Sequence, residues 1–597
     1  MKMKYHKELL SGNEAIARGA YESGIIFASG YPGTPSSEIL ENISKYPEIY
    51  SEWSVNEKVA LESAAGASWA GARCIVTMKH VGLNVAADPL MTLPYVGVKG
   101  GLLIVVADDP SMHSSQNEQD SRNYAKFAKV PLLEPSDSQE AKDFVKIGID
   151  ISEKYDIPVI LRSTTRISHS KGIVKLGTKV ENPNEIHFDK NPLKYVTVPA
   201  YARGMRVKLE EKVEKLKKLA NKININKIIL NDKKLGIITS SISFQYAREV
   251  FPDASILKLG MSHPFPDETI RKFASMVKKL VVIEELDPIL EEHIKVLGIK
   301  VIGKEIIPNI GELNLDILEE AKLKLSGRKI VKKKFLKSIP DLPKRPPVLC
   351  PGCPHRGIFY ALKKCNVSVV GDIGCYSLAT FPPLETLDTI LCMGAGISAC
   401  HGMDKIGYKN VVGVLGDSTF FHSGMTPLLD IAYNKGASTI IILDNRTTAM
   451  TGHQNHPGTG RTIKNEETVS ISISEIAKAL GIKRVREVNP YRIDETYQIL
   501  KEEINSNEAS VIITTEPCIL NVRGIEIEPN EIDAELCMGC GACLKVGCPA
   551  LEKVPIDHKK FKVQINSVLC TGCDICCQVC KFNAIKEAKR ETAKNAK

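Results

Sequence analysis

The sequence predicts an α/β protein assembled from several doubly wound units, with a metal-binding module at its carboxyl end. Three observations carry this reading. Short buried-type strands alternate with helical segments in two long stretches, a smaller stretch between them repeats the pattern, and nine of the seventeen cysteines crowd between Cys537 and Cys580. Such alternation builds parallel sheets covered by helices on both faces. At 597 residues the chain is expected to hold roughly three to five domains.

From Glu14 to about Ser170, strands are expected at 25–28, 74–78, 102–107 and 159–161. The turn Gly30-Tyr31-Pro32-Gly33-Thr34-Pro35 after the first of them carries Ser and Thr residues able to cap the next helix. A helix rich in small residues follows from Asn56-Glu57 to Ala67, and polar loops follow strands at 80–84 and 108–113. Residues 176–234 read as a connection in which Leu209, Val213, Leu216 and Ala220 form one apolar stripe on a charged helix. A smaller α/β unit spans 235–330, with strands at 236–239, 256–259 and 280–283, and 331–347 reads as a basic, proline-containing linker.

The second large unit, 348–526, contains the stretch that organises the chemistry. The apolar run from Val411 to Leu415 stops at Gly416-Asp417-Ser418, and a second run from Thr439 to Leu443 stops at Asp444-Asn445. In a strand–helix–strand unit, Asp417 and Asn445 emerge at neighbouring carboxyl ends, where open α/β sheets hold ligands. Two hard oxygen donors side by side suit Mg²⁺, which takes its other ligands from water and phosphate. Gly-Asp and Asp-Asn turns also end many strands that bind nothing.

The cysteine spacing is the most specific signal. Cys537-x2-Cys540-x2-Cys543-x4-Cys548 and Cys570-x2-Cys573-x2-Cys576-x3-Cys580 match the bacterial two-cluster ferredoxin pattern, in which each fourth cysteine serves the other cluster. Carried over, Cys537, Cys540, Cys543 and Cys580 hold one 4Fe–4S cluster, and Cys570, Cys573, Cys576 and Cys548 hold the second. The x4 gap and Lys581, where proline is usual, depart from that pattern, and Cys577 is left spare.

The Gly416-Asp417-Ser418 and Asp444-Asn445 pair, 25 residues apart, resembles the thiamine-diphosphate motif. The resemblance implies Asp417 and Asn445 on Mg²⁺ with a backbone carbonyl near Thr447, and Gly416 and Ser418 beside the diphosphate. It also implies that Glu57 hydrogen-bonds the aminopyrimidine ring, with Glu62 as the less well placed rival. The strings Cys350-Pro-Gly-Cys353-Pro-His355-Arg356 and Gly416-Asp-Ser-Thr-Phe-Phe-His-Ser-Gly424 and the order of parts resemble the large subunits of 2-oxoacid:ferredoxin oxidoreductases, especially those acting on arylpyruvates.

That family implies a fold of two thiamine-diphosphate-binding doubly wound domains (1–175 and 348–526), a smaller transketolase-C-terminal-like α/β domain, and a two-cluster ferredoxin domain at 527–597. It implies oxidative decarboxylation of an arylpyruvate with coenzyme A to an aryl-acetyl-CoA and CO₂, electrons passing to ferredoxin. Arg122 is the candidate for the substrate carboxylate, since an arginine offers two parallel donors. His453, like His422, is a candidate acid–base group, and Gly452 and Gln454 belong to a loop resembling the family's Thr-Gly-x-Gln. Cys350, Cys353, Cys375 and Cys518 could hold a third cluster, though a zinc site or a vestigial pair also fits. The family further implies a smaller β subunit in an (αβ)₂ assembly. Alternatives are a different 2-oxoacid substrate, or an electron-transfer subunit with a degenerate thiamine site.

Composition excludes other classes. No stretch approaches the ~20 apolar residues of a membrane span, and the amino terminus lacks a signal-peptide core, so a cytoplasmic protein is expected. The net charge of +9 is mild and no basic–aromatic motif accompanies it, so no nucleic-acid partner is expected. From Glu552 to Lys597, ten basic residues face five acidic ones, a rim suited to an acidic electron carrier or simply a solvated tail.

Overall fold

The computed structural model describes residues 6–327, 346–522, 528–557 and 560–587. Two compact units result, Met1–Lys337 and Ser338–Lys597. The expected linker at 331–347 falls almost wholly outside the described residues, as do the boundary near 526 and the basic tail beyond 587.

In the first unit the main sheet has seven strands, in the order Met261–His263, Leu132–Leu133, Val159–Thr164, Leu102–Asp108, Cys74–Lys79, Phe27–Gly30 and Tyr50–Trp53. All neighbours are parallel except Met261–His263, which runs antiparallel to Leu132–Leu133. The strand Leu102–Asp108 is buried along its whole length, as a Val/Ile/Leu run must be when helices cover both faces. A second sheet of four strands is centred on Asp232–Ser240.

These sheets refine the expected boundaries. The first strand lies two residues later than its apolar run suggests, at Phe27–Gly30. The short strands Tyr50–Trp53 and Leu132–Leu133 carry no long apolar run and were not expected. Met261–His263 follows the strand Ala254–Leu259 of the smaller sheet yet pairs at the edge of the larger one. The amphipathic helix Pro199–Ala220 buries Leu209, Val213, Leu216 and Ala220, as its stripe predicts, together with Met205.

The second unit is built on six parallel strands, in the order Thr389–Ile390, Ser368–Gly371, Val411–Gly416, Thr439–Asp444, Ser510–Thr515 and Arg484–Val488. Val411–Gly416 and Thr439–Asp444 sit side by side, with Gly416 opposite Leu443. Asp417 and Asn445 therefore leave adjacent strand ends. The cysteine-rich end adds two small antiparallel ladders, Leu551–Pro555 with Phe561–Ile565 and Glu531–Ile532 with Ile585–Lys586. Among the described residues no helix is long and apolar enough to cross a membrane.

Candidate active site

In the first unit, the carboxyl ends of the parallel strands present Gly30, Lys79, Asp108 and Thr164 to one set of loops. Glu57 opens the helix Glu57–Trp69, whose start is fixed by the Asn56 side chain accepting from Val59 N–H. Glu57 is buried, and its carboxylate lies against the helix His80–Val85, where a Cβ at Gly82 would fall 2.4 Å from Oε1. Position 82 must be glycine for Glu57 to occupy this place. Glu62 is exposed and pairs with Lys58, so the rival candidate is a solvated helix residue.

Lys79 is a residue the sequence reading missed. Its side chain passes Gly33, where a Cβ would meet its Cδ at 3.0 Å, and its Nζ donates to the Ser114 carbonyl at 3.0 Å. Burial pulls its ammonium down to about 8, against the opposing charges of Asp109 and Glu57. Ser114 Oγ in turn donates to Thr34 O at 3.1 Å, and Asp109 accepts from Ser115 and Thr165 hydroxyls at 2.7 and 2.6 Å. The available signal was a lysine closing an otherwise apolar strand, Cys74–Lys79.

Arg122 is corrected by its surroundings. It is only 3% exposed, and all three guanidinium nitrogens are engaged. Nε donates to Asp120 at 2.9 Å, Nη1 to Glu284 at 2.7 Å, and Nη2 to the Glu285 and Asp287 carbonyls at 2.9 and 3.0 Å. It clamps the loop at Asp120 to the end of the strand Lys279–Ile283 and is not displayed to a substrate.

In the second unit, Asp417 is 2% exposed and Asn445 7%. The single N–H of Thr447 lies 3.3 Å from both Asp417 Oδ2 and Asn445 Oδ1, so the two oxygens converge on one place. His456 Nε2 reaches Asp417 Oδ2 at 3.1 Å, and Asn445 Nδ2 donates to His355 Nε2 at 3.3 Å. Burial raises Asp417, but the hydrogen bond and charge of His456 and the Ser418 N–H outweigh it and hold the carboxyl low. Burial and then the charge of Asp417 push Asp444 up to about 6. Two buried carboxylates with an amide oxygen beside them are an incompletely neutralised donor set, which fits a divalent cation.

The surrounding backbone is shaped for close approach. Gly416 N–H donates to Tyr376 OH at 3.0 Å, and a Cβ at Gly416 would sit 3.0 Å from that ring. Gly394 has φ +83° and donates to Asp372 at 2.7 Å. Ser418 Oγ accepts from Thr448 Oγ1 at 2.9 Å, and the Thr447 hydroxyl is buried without a hydrogen-bond partner. Gly452, at φ +124°, turns a loop closed by Gln454 Nε2 donating to Thr451 O at 2.8 Å. His453 is half-buried with an unpartnered Nδ1, and His422 bonds its neighbour Ser423.

The cysteine ends form two separate cavities. Cys548, Cys570, Cys573 and Cys576 line one, and Cys537, Cys540, Cys543 and Cys580 line the other. Among the described residues no three His, Cys, Asp or Glu side chains converge tightly enough for a single ion. Four cysteines to each cavity is the number a 4Fe–4S cluster takes. Asn530 and Ala584 N–H groups donate to Cys570 and Cys580 sulfurs at 3.4 and 3.3 Å. Cys577 lines neither cavity and accepts from Asn530 Nδ2 at 2.9 Å.

Comparison with known proteins now bears on this geometry. A family model described as "Pyruvate flavodoxin/ferredoxin oxidoreductase, thiamine diP-bdg" matches residues 18–214, and "Thiamine pyrophosphate enzyme, C-terminal TPP binding domain" matches 372–514. "Indolepyruvate oxidoreductase subunit IorA" of Methanothermobacter thermautotrophicus is 41% identical over 97% of both chains, and that of Archaeoglobus fulgidus 41% over 98% of both. The chain belongs to the indolepyruvate oxidoreductase subunit IorA family. A "2-oxoglutarate synthase subunit KorA" of Methanothermobacter marburgensis is more distant, 26% identical over 46% of this chain and 87% of its own.

This IorA-family chain is thus an oxidoreductase subunit with two thiamine-diphosphate-binding folds and a ferredoxin-like cysteine-rich end. Glu57 lies in the first fold, while Asp417, Asn445, Thr447, Gly452 and Gln454 share the strand ends of the second. Cys518 joins them there, its N–H donating to Asn445 O at 2.9 Å. Burial pushes Cys353 up to about 12 against the His355 N–H and the Arg356 charge, and burial followed by the charges of Cys518 and Cys350 pushes Cys375 up to about 11. Electrostatic interactions link Cys350 with Cys353, Cys375 and Cys518 in this IorA-family chain. His355 and His456, which contact the Asp417–Asn445 pair, carried no motif that spacing alone could single out.

Proposed function

We propose that this chain is the catalytic subunit of a ferredoxin-dependent oxidoreductase that decarboxylates arylpyruvates and passes the acyl group to coenzyme A. The observation that carries it is the presence, in one compact unit, of the convergent Asp417–Asn445 oxygens and two cavities each ringed by four cysteines. The arylpyruvate substrate rests on the name borne by the full-length relatives. A smaller β subunit, an (αβ)₂ assembly, a cytoplasmic location and ferredoxin as acceptor belong to the same reading.

Asp417 and Asn445 would hold Mg²⁺ for a diphosphate, with Thr447 contributing through its backbone. Thiamine diphosphate, when bound, supplies the electron sink for decarboxylation of a 2-oxoacid, and 4Fe–4S clusters supply one-electron transfer. Glu57 would hold a proton on its carboxyl for the aminopyrimidine. Its burial against Gly82 fixes that carboxyl and keeps water from it. Lys79, beside Glu57 and Asp109, is the cation suited to the substrate carboxylate, in place of Arg122. Gln454 and the Gly452 turn shape the loop that carries His453. Cys350, Cys353, Cys375 and Cys518 would hold a third cluster, Cys518 being tied to Asn445 through its N–H.

Anaerobic co-expression with the β subunit, followed by turnover on a panel of oxoacids with CoA, tests the reading. Arylpyruvates should give the highest kcat/KM. Preference for pyruvate or a branched-chain oxoacid would reject the substrate, and purified protein with clusters but no thiamine diphosphate would reject the enzyme.

A further inference from the structure

Arg356 stands in a place that the thiamine chemistry does not require. It belongs to the helix His355–Cys365 of the second unit and is 1% exposed. Its Nη2 donates to the carbonyls of Leu349 and Cys350, at 2.6 and 2.9 Å, in the first Cys-x2-Cys loop. Its Nη1 donates to Val546 O at 3.0 Å and to Gly547 O, immediately before Cys548. One buried guanidinium thus ties two cysteine-bearing loops nearly 200 residues apart in the chain.

The Cys350–Cys353 loop also touches the loop that carries Cys570. Gly352 has φ +67°, and a Cβ there would lie 1.9 Å from Thr571 Oγ1, next to Cys570. Arg356 also lines the cavity of Cys548, Cys570, Cys573 and Cys576, and its Nε–H is buried without a partner among the described residues. It is the one charged side chain among the residues lining that cavity. Among the described residues, no charged side chain lines the cavity of Cys537, Cys540, Cys543 and Cys580.

We propose that Arg356 is a positioning residue that holds the Cys350–Cys353 loop against the Cys548/Cys570/Cys573/Cys576 cavity, and that its buried positive charge raises the reduction potential of the cluster held there above that of its neighbour. Reduction adds one negative charge to a cluster, and a fixed cation in a low-dielectric site favours the more negative state. Electrons arriving from the strand ends around Asn445 are thereby drawn first into the Arg356 cavity.

This inference rests on the cluster reading above, and the experiment separates the two. Wild-type αβ holoenzyme is prepared anaerobically, and its iron content and potentiometric EPR spectra are recorded. Fewer than about eight irons in the ferredoxin-like end, read as the iron lost when its cysteines are replaced, would sink the cluster reading itself. With that established, R356Q and R356K holoenzymes are titrated in the same way.

The expected result is that one cluster midpoint becomes more negative in R356Q and returns to the wild-type value in R356K, the other midpoint staying fixed. An R356Q enzyme that loses iron while R356K keeps both clusters at wild-type midpoints also supports the role of charge. Unchanged midpoints in an iron-replete R356Q, equal shifts of both clusters, or an R356K enzyme that shifts or loses iron as R356Q does would overturn it, leaving Arg356 a packing residue.

Discussion

Glu57 and Lys79 are two buried titratable groups at the same strand ends, and they are expected to fail differently. Glu57→Gln keeps the volume and removes the proton-holding carboxyl, so oxoacid-dependent dye reduction should fall by roughly 10²–10⁴-fold. The visible spectrum of the clusters should not change, and unimpaired dye reduction would reject the assigned role. Lys79 has a pKa lowered to about 8, so in the folded protein its charge is present below that pH and lost as pH rises through it. The KM for an anionic oxoacid should therefore climb above about pH 8 with kcat little affected, and Lys79→Arg, whose charge does not titrate there, should flatten that climb.

At the scale of elements, the site depends on how a helix start and a strand end are set against each other. The helix His80–Val85 approaches Glu57 closely because residue 82 has no Cβ. Gly82→Ala should displace the carboxyl and lower turnover by on the order of a hundredfold while leaving the circular dichroism spectrum intact. Arg122 acts between elements instead. Its removal leaves Asp120 and Glu284, both almost fully buried, without their cation. Arg122→Met should destabilise the fold by about 3–5 kcal/mol in denaturant unfolding, and whatever protein folds should keep a normal KM. A raised KM with unchanged stability would restore Arg122 to the substrate.

At the scale of the molecule, the strand ends that carry Asp417 and Asn445 share one compact unit with the cysteine cavities, and Glu57 lies in the other unit. The eight cysteines line two cavities, four to each. Cys577→Ser should therefore leave iron content and both EPR signals unchanged, whereas Cys573→Ser should lose one of them. A Cys577→Ser protein short of iron would show that the ring around Cys576 is drawn wrongly.

Much of this was legible in the sequence because short-range rules govern it. Val411–Gly416 and Thr439–Asp444 are apolar runs that only a two-sided sheet buries, and strand adjacency then places Asp417 beside Asn445. Cysteine spacing likewise sets a ligand pattern within one local loop. Residues whose partners are distant in the chain were not legible. Arg122 reads as an exposed loop cation until Glu284, 162 residues away, closes on it. His456 and His355 find Asp417 and Asn445 across 39 and 90 residues, and Arg356 finds Gly547 across 191. The sequence by itself determined which strands end in oxygen donors and where the cysteines crowd. Only the tertiary structure decided which charges are spent on holding the fold and which are left facing chemistry, because that depends on long-range pairing in a dry interior, where an unpaired charge is too costly to keep.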